Sequence, residues 1–518
     1  MAQVDLDDND RRELERRGIS EEEVRRQAAL LANPPPRLRL LRPCTIGDGI
    51  RRLSDDEIDS CKTAFGAARR QQQLLKFTPA SGAASRMFKA LVSFRNRVGS
   101  GDRLPDTIDD REVETFIDGL PQFAFYEDLL AASGLKDGTE RSSVLALIDA
   151  LLSPAGLNYP ALPKGLLKFH HYGSAARTPF EEHLVEAAAY ACAEHAEARL
   201  HFTVSPNHRQ RFEALLAAVR STYETTLSVS FEVAFSVQPE ATDTVAVDLE
   251  NRLVRTRQGE IVLRPGGHGA LIGNLNDLDA DIVFIKNIDN VVPDHLKGPT
   301  IQWKMVLGGL LARLQTRCFE LLARLARTSV EVAAIEAAVR FAQDELGITL
   351  PAELKTAGGE ARRDFLVAKL NRPLRVCGMV RNQGEPGGGP FWVSNNDGTA
   401  SCQIVESAEV DVGVAEQRAV LAASTHFNPV DLVCGLRNWR DERFDLRDYV
   451  NREAVFVTEK SVDGEVVKAL EHPGLWNGAM AYWSSVFVEV PSATFNPVKT
   501  VNDLLRPEHQ PPSRHVTI

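Results

Sequence analysis

Phe77-Thr-Pro-Ala-Ser-Gly-Ala-Ala-Ser-Arg-Met-Phe-Lys89 is a loop of small residues that continues the apolar run 74–79. Small side chains let backbone N–H groups approach an anion closely, and a following helix adds the positive end of its dipole. Arg86 and Lys89 add two full positive charges. The Walker A pattern is absent. The stretch predicts a strand, a phosphate-binding turn and a helix, and a turn of small residues that serves only packing is the alternative.

The composition is that of a globular protein. The chain has 518 residues, of which 43% are hydrophobic and 25% charged, so we expect more than one core. The net charge of -11 argues against a generic nucleic-acid binder. Seven dispersed cysteines without a Cys-x-x-Cys pair disfavour a disulfide framework or structural zinc. The acidic N-terminus has no apolar leader, which predicts a cytoplasmic protein with no membrane contact and no obligate protein partner.

Strand-like runs alternate with helical segments from residue 74 to residue 237. This alternation predicts the α/β class, with a mixed, mainly parallel sheet covered by helices. A short strand is expected at Leu166–Phe169. We divide the chain into an N-terminal helical extension (1–70), an α/β core with a helical insertion near 100–160 (71–300), a second helical insertion (301–370) and a C-terminal part (371–518).

Two later motifs carry polar residues at the ends of strand-like runs. Arg264-Pro-Gly-Gly-His-Gly-Ala270 is a second glycine-rich loop, in which His268 is placed to hydrogen-bond a base or sugar, or else lies in a surface turn. Lys286-Asn-Ile-Asp-Asn290 follows the apolar run 281–285, so Asp289 lies at the edge where ligands bind in open α/β sheets. Asp289 is a candidate Mg²⁺ ligand that would share the ion with substrate phosphates, and an Asx-turn is the alternative.

These segments together resemble the sugar nucleotidyltransferases. The loop at 80–87 is similar to their Ala-x-Gly-x-Gly-Thr-Arg-Leu/Met signature, and Pro163-Lys-Gly-Leu-Leu167 resembles their Pro-Lys-Ala-Leu segment. Arg264-Pro-Gly-Gly-His-Gly269 resembles the Pro-Pro-Gly-His-Gly loop of UDP-sugar pyrophosphorylases, and Phe495-Asn-Pro-Val-Lys-Thr-Val-Asn-Asp-Leu-Leu505 resembles their Pro-Val-Lys-Thr-x-x-Asp-Leu-Leu. More closely, the chain looks like a bacterial family of unknown function grouped with these enzymes.

The resemblance implies a glycosyltransferase-A-type fold, and the joining of a nucleoside triphosphate, UTP by preference, to a sugar 1-phosphate with release of pyrophosphate. Within this resemblance 71–300 binds nucleotide, and 371–518 binds sugar and completes the catalytic domain. The implied catalytic residues are Arg86, Lys164 and Lys499. The implied nucleotide-binding residues are Ala80, Ser81, Gly82, Ala83, Ser85, Lys89, Gln238, Gly267, His268 and Gly269. The implied sugar contacts are Glu385, Gly388, Glu406 and Asn477, and the Mg²⁺ ligands are Asp289 and Asp503.

The sequence also departs from the family pattern. Ala84 replaces the second glycine of the signature loop, and an alanine does not freely adopt positive φ. Lys164 lies far from Arg86 in the sequence, which leaves Lys89 as an alternative triphosphate lysine. Two alternative functions remain: a glycosyltransferase of the same fold that uses Asp289 for a donor diphosphate, and a non-catalytic nucleotide-sugar sensor.

Overall fold

The computed structural model describes residues 4–99, 108–136, 138, 143–327, 330–384, 387–395, 397–462 and 464–512. The chain forms two compact units. Unit 1 comprises Met1–Gln73, Val237–Phe284 and Val306–Val490, and unit 2 comprises Leu74–Ser236, Ile285–Met305 and Pro491–Ile518. The predicted segments 1–70, 71–300, 301–370 and 371–518 do not coincide with these units, because each unit is assembled from stretches distant in sequence. No helix among the described residues has both the length and the apolar character needed to cross a membrane.

Unit 2 contains a parallel sheet with helices. Leu74–Pro79 pairs in parallel with Glu197–Thr203, which pairs in parallel with Ser230–Ser236. A small antiparallel pair is formed by His170–Tyr172 and Ala175–Arg177. The helices are Lys89–Val98, Arg111–Asp118, Tyr126–Ser133, Val144–Leu152, Pro179–Tyr190 and Arg209–Leu227.

Sequence signals explain these elements locally. Pro79 ends the first strand, and the run before it is buried throughout. Pro179 occupies the first turn of its helix, where its missing N–H costs nothing. The Thr178 hydroxyl accepts a hydrogen bond from the Glu181 N–H, and the Glu181 carboxylate accepts one from the Thr178 N–H. This capping box fixes where the helix begins.

The predicted helical insertion near 100–160 forms the apolar core beside the first loop. Its described helices place Phe116, Phe123, Leu129 and Leu147 in one buried cluster with Phe88 of the segment that follows the loop. The rings of Phe116 and Phe123 lie 5.1 Å apart between centroids. Val498 and Leu504 from the C-terminal segment belong to the same cluster, so the insertion supports two of the predicted site segments at once.

Unit 1 is also a mixed α/β structure. Its larger sheet runs in the order Thr45–Ile46, Gly49–Arg51, Ser484–Glu489, Leu374–Arg381, His426–Gly435, and all neighbours are parallel except the last pair. One antiparallel sheet has the order Leu40–Pro43, Gly389–Ser394, Ala400–Val405. Another has the order Leu263–Arg264, Thr244–Val247, Glu465–Glu471, Phe456–Val462. The helices are Asp8–Arg17, Glu21–Ala32, Asp55–Gln71, Leu271–Asn276, Val332–Leu346, Ala352–Lys355, Gly359–Leu370 and Ala415–Ala422.

Two elements begin in one unit and end in the other. The strand Ile282–Lys286 starts in unit 1, and the helix Gly298–Leu325 starts in unit 2. Both units contain strands that pair in parallel together with helices, so the predicted α/β class with a mixed, mainly parallel sheet is confirmed.

One local prediction was wrong. The expected strand at Leu166–Phe169 is instead the end of a 3-10 turn, Lys164–Leu166, followed by extended chain, and the strand begins at His170. The segment 1–70, described above as a helical extension, also contains the three short strands between 40 and 51, two of which pair with strands from the C-terminal half of the chain.

Candidate functional site

The first loop of unit 2 leaves the sheet directly after Leu74–Pro79. The Ala80 N–H donates to the Thr203 carbonyl at 2.8 Å, so the loop starts from a fixed point at the sheet edge. Ala80 and Ala84 are buried, whereas the five other residues of 80–86 are exposed. A 3-10 turn, Ala84–Arg86, separates this loop from the helix Lys89–Val98. The strand, turn and helix are therefore present, with an extra short turn before the helix.

Ala84 fits this loop without positive φ. Ala83 is extended, with φ of -66° and ψ of 148°, and Ala84 begins the 3-10 turn, which is a right-handed conformation. The Ala84 N–H donates to the Leu162 carbonyl at 2.8 Å. The replacement of glycine at this position therefore introduces no backbone strain.

Lys164 lies beside the loop despite its distance in sequence. Ala83 forms an antiparallel bridge with Pro163, and the Lys164 N–H donates to the Gly82 carbonyl at 3.4 Å. The residues between Ala83 and Pro163 include the helical insertion, and the Ala83–Pro163 bridge brings the two ends of this stretch together. The structure therefore brings Lys164 to the small-residue loop, as the resemblance requires.

Three charged side chains meet next to this loop. The Lys164 ammonium lies 2.8 Å from Oδ2 of Asp289 and donates to the Val498 carbonyl at 2.6 Å. The Lys499 ammonium lies 3.4 Å from the same Oδ2 atom. Although burial alone raises the pKa of the Asp289 carboxyl, the two ammonium groups outweigh it and leave that pKa below its usual range. Asp289 is therefore ionised between two lysines.

The three side chains differ in exposure. The side chains of Lys164 and Asp289 are 14% and 10% exposed, whereas that of Lys499 is 57% exposed. Arg86 and Lys89 are also exposed, and within the described part of the chain neither forms an ion pair. Arg86, Lys89 and Lys499 are thus three cations available to an anion from solution.

The C-terminal segment that carries Lys499 is held to the strand end that carries Asp289. Pro497 forms a bridge with Asn290, and the Asn290 side-chain oxygen accepts the Asn496 N–H at 2.9 Å. The Val498 N–H donates to the carbonyl of Asp289 at 3.1 Å. These backbone contacts fix Lys499 next to Asp289.

Asp503 is engaged within its own turn. Its Oδ2 accepts the N–H groups of Lys499 and Thr500, each at 2.7 Å, which caps the 3-10 turn Val501–Leu505. Among the described residues no group of three or more His, Cys, Asp or Glu side chains is arranged to hold a metal ion. The donor set at this place is one carboxylate, Asp289, and Mg²⁺ commonly binds one or two carboxylates together with substrate phosphates. The residues fit such a shared ion and do not form a complete protein cage.

In unit 1 the glycine-histidine loop is packed against the segment 471–477. Gly267 has φ of +78°, a conformation that favours glycine, and a Cβ on Gly269 would lie 2.0 Å from the Pro473 carbonyl oxygen. The His268 ring stacks on Trp476 with centroids 4.5 Å apart. The local backbone therefore requires glycine at both positions. This requirement is explained by packing alone and is also compatible with the close approach of a ligand.

His268 is a neutral donor. Its Nδ1 accepts the Leu475 N–H at 3.1 Å, so the ring proton is on Nε2. Burial lowers the pKa of His268, against the opposing charge of Glu471. A neutral ring with Nε2–H can donate one hydrogen bond to a ligand acceptor.

The predicted sugar contacts converge in unit 1. A Cβ on Gly388 would lie 3.4 Å from Cγ of Glu406 and 3.5 Å from Nδ2 of Asn477, so the three residues are neighbours. The Oδ1 atom of Asn477 is buried and accepts no hydrogen bond from any described residue. Burial, and then the nearby charge of Glu471, raise the pKa of Glu406. Glu385 lies outside the described residues.

Gln238 carries an unused donor. It follows the strand Ser230–Ser236, and its Nε2 is buried without a hydrogen-bond partner in the described chain. A buried amide donor without a partner is uncommon, and a ligand carbonyl would satisfy it.

Sequence reasoning missed several buried polar residues near these sites. Glu409 lies behind Asn477, Arg375 is fully buried, and Lys76 is fully buried in the first strand. Lys76 and Arg375 are single charged residues within the apolar runs 74–79 and 374–380, which is a sequence signal for their burial. Glu409 lies close to Glu406 and Asp411 in the sequence and has no such signal.

No curated protein matches this chain. One similar solved structure is a mutant of UDP-glucose pyrophosphorylase from Leishmania major in complex with UDP-glucose. The match has 13% identity and a TM-score of 0.43, and covers 97% of this chain and 79% of that chain. Another is the uridine diphosphate N-acetylglucosamine pyrophosphorylase from Trypanosoma brucei in complex with an inhibitor, with 12% identity, a TM-score of 0.47, and coverage of 96% of this chain and 79% of that chain. A family model described as "Domain of unknown function (DUF4301)" matches residues 7–510, so the chain belongs to this family.

Proposed function

We propose that this protein is a nucleotidyltransferase that joins a nucleoside triphosphate, UTP by preference, to a sugar 1-phosphate and releases pyrophosphate. The observation that carries the proposal is the Lys164, Asp289 and Lys499 cluster beside the exposed loop 80–86. The sequence motifs that resemble sugar nucleotidyltransferases supply these three residues.

The cluster suits a reaction between two anions. A sugar phosphate and a triphosphate repel each other, so catalysis depends on neutralising charge and aligning the reacting atoms. Arg86, with Lys164 or Lys89, binds the triphosphate at the loop, and Lys499 binds the sugar phosphate. Because Asp289 holds Lys164 and Lys499 in the ligand-free protein, the two ammonium groups are already close together before the phosphates arrive.

Asp289 has a second role in the proposal. When bound, Mg²⁺ would neutralise phosphate charge, and Asp289 would hold it together with the substrate phosphates. Asp503 is the second proposed carboxylate. It lies four residues after Lys499, and its carboxylate accepts the Lys499 N–H. No nucleophilic side chain is required.

The proposal assigns the base and sugar contacts to residues of unit 1. Gln238 and the loop Gly267–Gly269 would contact the base, and the unsatisfied Nε2 donor of Gln238 suits a base carbonyl. Gly388, Glu406 and Asn477 would contact sugar hydroxyl groups, and Glu385 is proposed for the same role from the sequence alone. The identity of the sugar is left to the experiment, and a cytoplasmic location stays a prediction from the sequence.

A substrate panel tests the proposal. Purified protein with Mg²⁺ is given each nucleoside triphosphate with each of several sugar 1-phosphates, and pyrophosphate is measured. We expect release with at least one pair, and loss of about a hundredfold or more in kcat/KM for Lys499→Met. Release of a nucleoside diphosphate from a nucleotide sugar and an acceptor would instead indicate a glycosyltransferase. Tight nucleotide-sugar binding without turnover would indicate a sensor, and either result would overturn the proposal.

A further inference from the structure

A fully buried ionic cluster lies in unit 2, where the helix Pro179–Tyr190 meets lysines from two strands. Glu186 is 0% exposed and accepts hydrogen bonds from the ammonium groups of Lys76 and Lys286, each at 2.7 Å. The Tyr190 hydroxyl also donates to Glu186, at 3.0 Å. The proposed reaction uses none of these residues directly.

The cluster contains more positive than negative charge. Burial lowers the pKa of Lys76 to about 7, although Glu186 opposes this effect. Burial alone raises the pKa of Glu186, but Lys286 and Lys76 outweigh it and hold that pKa well below its usual range. Glu186 is therefore a buried anion that pairs with two buried lysines, and removal of its charge takes one ion pair from each of them.

The same helix binds the segment that leads to Asp289. Lys286 ends the strand Ile282–Lys286, three residues before Asp289, and is held by Glu186. The His183 Nε2–H donates to the Ile288 carbonyl at 3.2 Å. His183 is fully buried, and burial together with Lys76 lowers its pKa well below the ordinary value, so the ring is neutral. The helix Pro179–Tyr190 thus contacts Ile288, directly before Asp289, and Lys286, three residues before Asp289.

We propose that Glu186 and His183 are positioning residues, which fix the segment 286–288 so that the Asp289 carboxylate meets Lys164 and Lys499. The role of Asp289 in substrate binding rests on the proposed function, whereas the positioning of the segment does not. Neither residue touches substrate in this proposal. Since misplacement of a binding group by about 1 Å costs up to about a hundredfold in rate, small shifts of this segment have measurable effects.

Glu182 provides a matched control on the same helix. It is also 0% exposed and ionic, with hydrogen bonds from His170 Nδ1 at 2.8 Å and the Tyr172 hydroxyl at 2.9 Å, and an ion pair with Lys297. Lys297 in turn donates to the Val292 carbonyl. Glu182→Gln therefore removes a comparable buried charge, and its contacts lead to residues after the Asp289 segment.

Hydrogen–deuterium exchange of the 518-residue protein without added ligand tests the positioning. In Glu186→Gln we expect amides of 287–290 to exchange about tenfold faster than in the wild type, because local opening becomes easier. In Glu182→Gln we expect the increase after residue 291 and less than about threefold change at 287–290. Equal increases at 287–290 in both variants, or no increase in Glu186→Gln, would overturn the inference.

His183→Leu covers the case in which Glu186→Gln does not fold. It removes the hydrogen bond to Ile288 without changing the buried charge, and we again expect faster exchange at 287–290.

Binding of Mg²⁺ with UTP to the same proteins, measured by calorimetry, gives a separate result. We expect affinity to fall about tenfold in His183→Leu and less than about threefold in Glu182→Gln. A wild type that binds no nucleotide contradicts the proposed function, while the exchange data still decide whether the segment is positioned from this helix.

Discussion

Replacement of Glu409 by glutamine is expected to stabilise unit 1, and more so as the pH rises. Glu409 is 5% exposed. Its Oε2 accepts the Glu406 N–H at 2.7 Å and the Asn477 side-chain N–H at 3.0 Å. Its Oε1 is buried and has no hydrogen-bond partner in the described chain. Burial, and the nearby charge of Glu406, raise the pKa of Glu409 to about 8, so the carboxyl is largely protonated at neutral pH.

The size of the effect follows from this pKa. An unfolded glutamate ionises near the ordinary value of 4.5, and the folded one near 8. Because the folded state binds the extra proton, the free energy of unfolding contributed by Glu409 is highest below 4.5 and falls as the pH rises through about 8. At about 1.4 kcal/mol for each pH unit, the loss reaches about 3 kcal/mol at pH 7 and about 4 kcal/mol at pH 8, where the folded carboxyl is half ionised. Glutamine keeps the acceptor and cannot ionise, so its variant avoids this loss.

Urea denaturation at about pH 5, 6, 7 and 8 measures the effect. Four of the five tryptophans lie in unit 1, so fluorescence in a Trp303→Phe background reports on this unit alone. The difference in unfolding free energy between Glu409→Gln and its parent should grow with pH. Glu465→Gln, at an exposed position, should show no such trend. A difference that stays flat from pH 5 to pH 8, or a parent that is the more stable protein at pH 8, would refute the reasoning.

Three further predictions concern packing and buried charge. The folded protein holds the pKa of Lys76 near 7, so between about pH 7 and pH 9 it binds fewer protons than the unfolded protein, and wild-type stability should rise. Lys76→Met should abolish this rise, while Glu186 keeps Lys286 as partner. Urea denaturation at the two pH values measures the rise, and an equal rise in the variant would contradict the prediction. Gly309→Ala should destabilise unit 1 by about 2 kcal/mol or more, since the new Cβ would lie 1.8 Å from the Cys61 carbonyl oxygen, and thermal denaturation measures the loss. Ser54→Ala should cost about 1 kcal/mol through loss of a helix cap, and Ser54→Asp should recover most of it.

The strands with uninterrupted apolar patterns could be predicted from the sequence. Leu74–Pro79 has the predicted bounds. The strands Leu374–Arg381 and Ser484–Glu489 lie within two residues of the strand-like runs 374–380 and 486–490 of the sequence. The strand His426–Gly435 was missed, because Pro429 and Asp431 interrupt its apolar run and Val430 has positive φ. A proline and a bulge break the alternation on which strand prediction depends.

The candidate site was predicted in part. The resemblance supplied Arg86, Lys164, Asp289 and Lys499, and the structure brings the last three together. The contacts that fix them were not predictable, because Glu186 and its lysine partners lie about 100 residues apart and meet only after the parallel strands pair. The partners of buried charges depend on the topology, and local patterns in one sequence do not reveal which distant strands become neighbours.

Phosphorus-31 NMR tests the proposed reaction most directly. The protein is incubated with Mg²⁺, UTP and the sugar 1-phosphate that gives the largest signal in the substrate panel. The account predicts equal growth of pyrophosphate and of a diphosphate ester whose two phosphorus nuclei couple to each other, and neither signal with Lys499→Met. Inorganic phosphate as the only product, or an unchanged spectrum across the whole panel, would contradict a nucleotidyl transfer.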